Sequence, residues 1–244
     1  MTLTYYMKNR GEDAELMVIK TLFSKRNDEE CIFSWFGIKS KIELRNPVNL
    51  EKIDDEAKII KASSRCKADI VIDFVYTGKR IFTSIKSLDG NSPAIVNHTP
   101  RHHSQWSVLL DLNEGLLLDS IIQGMNETKI TEDVHVHNLN LSDDEEVVLH
   151  KVIRYFVFEG TGCGVSHCPA DSVLYTKGGD VVNFFPDKDA YVTHIFDKLV
   201  LSMRDKSMPS ITNDKYTLCE PWVYYNEKSG KHKGSLHIRV LMNP

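Results

Sequence analysis

The clearest hydrophobic pattern in the chain runs from Lys67 to Ser87, KADIVIDFVYTGKRIFTSIKS. Ile70, Ile72 and Phe74 occupy one set of alternating positions and Asp69, Val71 and Asp73 the other, which predicts a strand with one wholly apolar, core-facing side. A second strand follows the Thr77-Gly78 turn. With a two-residue turn Tyr76 pairs with Lys79, Asp69 lies opposite Lys86 and Val71 opposite Ser84. A four-residue turn shifts the pairing by two and keeps all of these side chains on one face.

Elsewhere the periodicity predicts a helix over Gly11 to Lys25, with Leu16, Ile19 and Phe23 at helical spacing and Glu12, Asp13 and Glu15 near its positive end. A strand is expected around Cys31 to Gly37 and a helix from about Leu50 to Ala62. After Ser87 come a polar loop containing Gly90, Pro93 and Pro100, then apolar helical segments from about His102 to Met125. Ser142 and Glu145 form a capping-box pattern that opens a helix through Val148, Val152 and Tyr155. Ser172 to Phe185 reads as two strands around Gly178-Gly179, and Pro186 starts a helix through Met203. From about Tyr216 to Leu241 the chain is mostly strand. The sum is an α/β or α+β fold, a central mixed sheet flanked by helices.

Composition narrows this picture. A chain of 244 residues with 41% hydrophobic content can bury one sizeable core, so a single domain over residues 1–244 is expected, its core at about 11–126 and the region 142–244 attached to it. No apolar run is long and uncharged enough to cross a membrane, and five cysteines without framework spacing fit reduced thiols, so a cytoplasmic protein is expected. The net charge of -4 excludes a generally polycationic protein, yet charge is unevenly spread. Lys61 to Gln105 and Arg204 to Arg239 are each basic in balance, while Asp111 to Glu146 is acidic. Two basic segments that converge would suit a polyanion.

Asp69 and Lys86 do not suit a purely hydrophobic hairpin. Cross-strand neighbours have Cβ atoms about 5 Å apart, so the two form either a structural ion pair or one small site. With Glu15 on the upstream helix, Asp69 in Lys67-Ala68-Asp69 and Lys86 in Ser84-Ile85-Lys86, the arrangement resembles the PD-(D/E)XK nuclease superfamily. Ser84 departs from the pattern, standing where that family usually has Asp or Glu. The order of elements, including His102, His103 and Trp106 after the hairpin and Pro169-Ala170-Asp171-Ser172 later, is similar to the small type II restriction endonucleases of the MspI and HinP type.

That resemblance implies a restriction-endonuclease-like core and Mg²⁺-dependent, sequence-specific hydrolysis of double-stranded DNA by a monomer or homodimer. It implies that Asp69, Glu15 and the Ile85 carbonyl hold Mg²⁺, that Lys86 activates the attacking water, and that Ser84 occupies the remaining catalytic position. A repair or junction-resolving nuclease of the same fold, and a DNA-binding module whose nuclease centre has decayed, are the alternatives; Ser84 favours the last.

Asn97, His98, Arg101, His102 and Gln105 follow the hairpin closely, and their side-chain types suit base edges. In the tail, Lys228, Lys231, Lys233, His237 and Arg239 suit phosphate or base contacts. A polar surface loop and a solvated edge strand are the plain alternatives. Cys163, His167 and Cys168, with Cys219 far downstream, match zinc spacing poorly and read better as buried thiols. His135 and His137 lack a third ligand in view, and the histidines around Arg101 lack the companion residues of a His-metal nuclease. If the tail binds DNA, neutralising Lys231 and Lys233 should weaken binding on all sequences and flatten the log-log salt dependence by about one unit per lost phosphate contact. Salt-titrated binding isotherms measure this, and an unchanged slope removes those lysines from the interface.

Overall fold

The computed structural model describes residues 10–63, 65–89, 94–98, 137–138, 142–161, 164–197, 202–203, 220–226 and 235–241. The chain divides into two compact units, Met1–Asn91 with His167–Asp187, and Ser92–Ser166 with Lys188–Pro244.

In the first unit α1 (Arg10–Lys25) buries Ala14, Val18, Ile19 and Leu22, with Glu12 and Asp13 in its first turn and Lys25 in its last, each complementing the helix dipole. The expected strand at Cys31 to Gly37 is instead a helix, α2 (Glu29–Phe36). Its ends explain the difference. The Asp28 side chain accepts from the Cys31 amide at 3.1 Å, and Gly37 adopts a left-handed φ of 68° while its N–H donates to Phe33 at 2.8 Å. Between these caps Ile32 and Phe36, four residues apart, turn inward together.

The expected helix over Leu50 to Ala62 is absent. Only a short 3₁₀ turn forms, Glu56–Lys58, preceded by a strand β1 (Ile42–Arg45). Side chains of Asn46, Asn49 and Asp55 accept from the amides of Val48, Glu51 and Ala57, so local turns displace the helical ladder.

β2 (Ile70–Phe74) and β3 (Lys79–Ser87) form the anticipated hairpin, joined by the four residues Val75 to Gly78. The two-residue register is therefore replaced by the one shifted by two, with Phe74 opposite Lys79 and Asp73 opposite Arg80. Gly78 at φ 66° donates to the Phe74 carbonyl at 2.9 Å, and the Lys79 amide donates to the Thr77 hydroxyl at 3.3 Å. Asp73 locks that register: Arg80 and Arg45 hold its carboxylate at 2.6 and 2.5 Å and lower its pKa, Arg80 foremost.

The sheet has the order β1-β2-β3-β8-β9, where β8 is Ser172–Lys177 and β9 is Asp180–Phe185. β1, β2 and β3 are antiparallel neighbours, β3 and β8 are parallel, and β9 returns antiparallel through Gly178 and Gly179, both at positive φ. Thus the sheet takes its last two strands from beyond the 11–126 stretch. Ile42, Leu44, Ile70, Ile72, Phe74, Ile81, Ile85 and Leu174 form one core with Val18, Ile19, Leu22, Ile32 and Phe36 of the helices. The mixed sheet flanked by helices expected from the sequence is the observed architecture.

In the second unit both arms of the capping box are present at the start of α3 (Asp143–Arg154): the Ser142 amide donates to Glu145 at 2.8 Å, and the Glu145 amide to Ser142 Oγ at 3.4 Å. The helix continues into a π-helical turn, Tyr155–Glu159. α4 spans Lys188–Asp197, and residues 202–203 are strand, so the helix expected to run through Met203 does not. Ser202 and Met203 pair instead with Asn138 and His137. Within the expected polar loop after Ser87, the apolar run Ala94-Ile95-Val96 enters a strand, β4 (Ala94–His98). It pairs with β12 (Ser235–Leu241), which pairs with β11 (Glu220–Asn226). The expected helices from His102 to Met125 lie outside the described residues, and Gly160–Thr161 pairs with Gly164–Val165 as a two-stranded ribbon.

Asp28→Ala should cost about 1 kcal/mol of stability by removing the N-cap of α2. Urea unfolding measures it, and an unshifted midpoint means that the cap is not what selects helix over strand there.

Candidate active site

Asp69 sits one residue before β2, and its amide donates to the Thr83 carbonyl at 2.9 Å. β3 runs on past the start of β2, which leaves the Ile85 amide facing the Asp69 side chain. It donates to Asp69 Oδ2 at 2.7 Å, and Ser84 Oγ donates to the same oxygen at 3.5 Å. In a strand the N–H and C=O of one residue project to the same edge, so the Ile85 carbonyl shares the side on which Asp69 lies. Ser84 and Lys86 alternate away from core residues Ile81 and Ile85.

Lys86 is half-buried, and no hydrogen bond or ion pair among the described residues joins it to Asp69. It acts on Asp69 as a nearby charge. The expectation that the two stand directly opposite each other is corrected by the four-residue turn, which places Ser84 at that level and Lys86 two residues beyond. Burial raises the pKa of Asp69, opposed by Lys86, the Ile85 amide, Lys67 and Lys61.

Glu15 joins this group from α1. Burial, and then the charge of Asp69, push its carboxyl up to about 7, against the pull of Lys61 and Lys86. Two basic residues that the sequence analysis gave no role also belong here. Lys67 is half-buried, and burial followed by the charge of Lys86 pushes its ammonium down to about 7, with Asp69 opposing. Lys61 Nζ lies 2.6 Å from Glu12 Oε1 and 3.9 Å from Glu15 Oε2. The signal available in sequence was their position, within eight residues upstream of Asp69 in a basic segment.

The group contains carboxylate, carbonyl and hydroxyl oxygens, a donor set that suits a hard divalent cation such as Mg²⁺. Among the described residues no three His, Cys, Asp or Glu side chains converge as a ready metal cluster. Glu15 and Asp69 are the carboxylates of this donor set, since Ser84 is neutral. Mg²⁺ keeps several waters and needs few protein ligands, so two carboxylates and a carbonyl fit it.

The remaining candidates are placed by the backbone. Asn97 and His98 lie on β4, His237 and Arg239 on β12, and the two strands are hydrogen-bonded with Asn97 opposite His237 and Ala94 opposite Arg239. One strand from each basic segment is therefore paired here. Arg101, His102, Gln105, Lys228, Lys231 and Lys233 lie outside the described residues, as does Cys163. Cys168 is buried and, like Cys66, a free thiol; the backbones of the two residues pair in an isolated parallel β-bridge.

No family model matches the chain. No curated protein matches it either. Among solved structures, a crystal structure of the restriction endonuclease MspI in complex with its cognate DNA matches with a TM-score of 0.40 at 11% identity, covering 91% of this chain and 82% of that one. A likeness of that extent gives no residue correspondence. No helix among the described residues is long and apolar enough to cross a membrane.

The two values near 7 give the metal-free protein a distinctive pH dependence. Glu15 ionises near 4.5 when unfolded and about 7 when folded, so between these values the unfolded chain binds fewer protons and stability falls as pH rises. Lys67 has the opposite effect in the next window: folded it loses its proton near 7, unfolded near 10.5, so stability recovers as pH rises from about 7. Urea unfolding in chelator should show a shallow minimum near pH 7. Glu15→Gln should remove the lower limb, gaining on the order of 2 kcal/mol at pH 8 and little at pH 4. Lys67→Met should remove the upper limb; a minimum unaltered by both variants would mean that neither group is shifted.

Proposed function

We propose that this protein is a Mg²⁺-dependent endonuclease that hydrolyses phosphodiester bonds of double-stranded DNA at specific sequences, a type II restriction endonuclease with the core of that fold. The observation that carries the reading is the Asp69 carboxylate, fixed by the Ile85 amide at 2.7 Å on the strand that also carries Lys86, with Glu15 beside it. Such a centre has little use in a structural role. Asp73, four residues on and on the same strand face, shows what a structural carboxylate here looks like: paired at contact distance to two arginines, with its pKa lowered.

In this reading Asp69, Glu15 and the Ile85 carbonyl hold the cation, which when bound supplies an acidified water and neutralises charge on the phosphorane. Lys86 orients the attacking water and contacts the scissile phosphate. Ser84 holds Asp69 through its hydroxyl rather than adding a carboxylate. Asn97, His98, Arg101, His102 and Gln105, with Lys228, Lys231, Lys233, His237 and Arg239, bind DNA; the pairing of β4 with β12 supports their convergence. A DNA-binding module with a decayed centre is the second reading. It is favoured by one observation, the buried neutral Ser84 where a third carboxylate would complete the donor set.

Incubation with plasmid DNA and Mg²⁺ tests both. Discrete fragments support the endonuclease, structure-dependent nicks would make it a repair or resolving nuclease, and intact DNA with retained binding supports the decayed module. Asp69→Asn and Lys86→Ala should each abolish cleavage while DNA binding persists; full cleavage by either variant ends the assignment at this hairpin. Arg101→Ala or Gln105→Ala should cost about 1–3 kcal/mol of binding at cognate sites if that side chain reads a base, leaving non-specific binding nearly intact. Equal losses on both kinds of DNA would reduce the residue to a phosphate contact.

A further inference from the structure

Lys61 is one feature of the carboxylate group that the proposed chemistry does not use. Its ammonium is within 2.6 Å of Glu12 and 3.9 Å of Glu15, and its side chain is 38% exposed. The segment that carries it has no regular secondary structure, is anchored by buried Ile59, and leads toward Asp69. Lys61 and Lys86 both act as charges on Glu15 and on Asp69, and Lys67 acts on Asp69. Lys61 is tethered to a carboxylate, Glu12, that has no part in the proposed donor set.

We propose that Lys61 is a built-in monovalent counter-ion that competes with the divalent cation at Glu15 and Asp69, so that it sets the cation concentration at which the site loads. This inference rests on the nuclease reading and adds a positioning residue to it. A divalent ion on Glu15 brings two positive charges close to the ammonium, and that repulsion opposes loading in proportion to the product of the charges. Glu12 keeps a carboxylate beside Lys61 when the ammonium withdraws from Glu15. When a phosphodiester enters, its negative charge offsets the ammonium and the penalty is relieved. Lys61 thereby makes cation loading depend on bound DNA.

Calorimetric titration of Mg²⁺ into the DNA-free protein at pH 8.5, where Glu15 is ionised, tests this. Lys61→Gln should tighten Mg²⁺ binding by about three- to tenfold, the effect of removing one screened charge near a divalent ion. Its melting temperature in chelator should fall, and the rise on adding Mg²⁺ should exceed that of the wild type. Lys61→Arg keeps the charge and should titrate like the wild type. Adding a non-cleavable phosphorothioate duplex should tighten Mg²⁺ binding more in the wild type than in Lys61→Gln. Equal or weaker Mg²⁺ binding by Lys61→Gln overturns the proposal. If wild-type binding is lost in Asp69→Asn but unchanged in Lys61→Gln, only the role of Lys61 fails. If the wild type binds no Mg²⁺ with or without duplex, the metal-site reading fails and the role of Lys61 falls with it.

Discussion

The hydrogen bond from the Ile85 amide to the Asp69 carboxylate is the contact on which the rest of the site depends. A carboxylate set against a hydrophobic sheet carries a desolvation cost of several kcal/mol unless a donor meets it. β3 provides that donor because it extends past the start of β2, freeing one amide from the ladder for a side chain. The bond ties Asp69 to the strand that bears Lys86, and it holds the carboxylate where burial raises its pKa and where its charge in turn raises that of Glu15. Removing the stagger between the two strands would undo all of these at once.

Asp69 and Asp73 show how one strand face yields two opposite electrostatic outcomes. Asp73 is clamped by Arg45 and Arg80 and is stabilised as an anion. Asp69 has one amide, a distant hydroxyl and ammonium groups at longer range, so its charge is incompletely compensated. Salt-bridge formation accounts for the first and does not extend to the second. A bidentate guanidinium satisfies a carboxylate outright, as Arg80 does for Asp73.

How far the sequence discloses this depends on which forces act locally. The hairpin, the capping box at Ser142 and the Gly178-Gly179 turn were legible because alternation, caps and left-handed glycines are short-range signals. The segment at Cys31 to Gly37 was misread because its short apolar run lacks a decisive period, and the deciding signals are the caps at Asp28 and Gly37. The stretch after Leu50 combines good helix formers with asparagine and aspartate side chains that bond their own backbone. That Asp69, Lys86 and Glu15 would stand near one another could be anticipated from pattern and resemblance. Lys61 and Lys67 could not be weighted, since their importance arises from burial and from charges brought in by α1 and β3.

The parallel pairing of β3 with β8 has a consequence for how the molecule comes into being. Thr83 of β3 lies beside Ser172 of β8, their hydroxyls 2.9 Å apart across 89 residues of chain. Contacts of such separation incur loop-closure entropy before they return any stability, and they slow folding. During synthesis the strand that carries Ser84 and Lys86 must wait, one edge unpaired, until β8 has left the ribosome. For that interval the hairpin is an open template for wrong partners, and the nascent chain holds β3 without the neighbour that completes it.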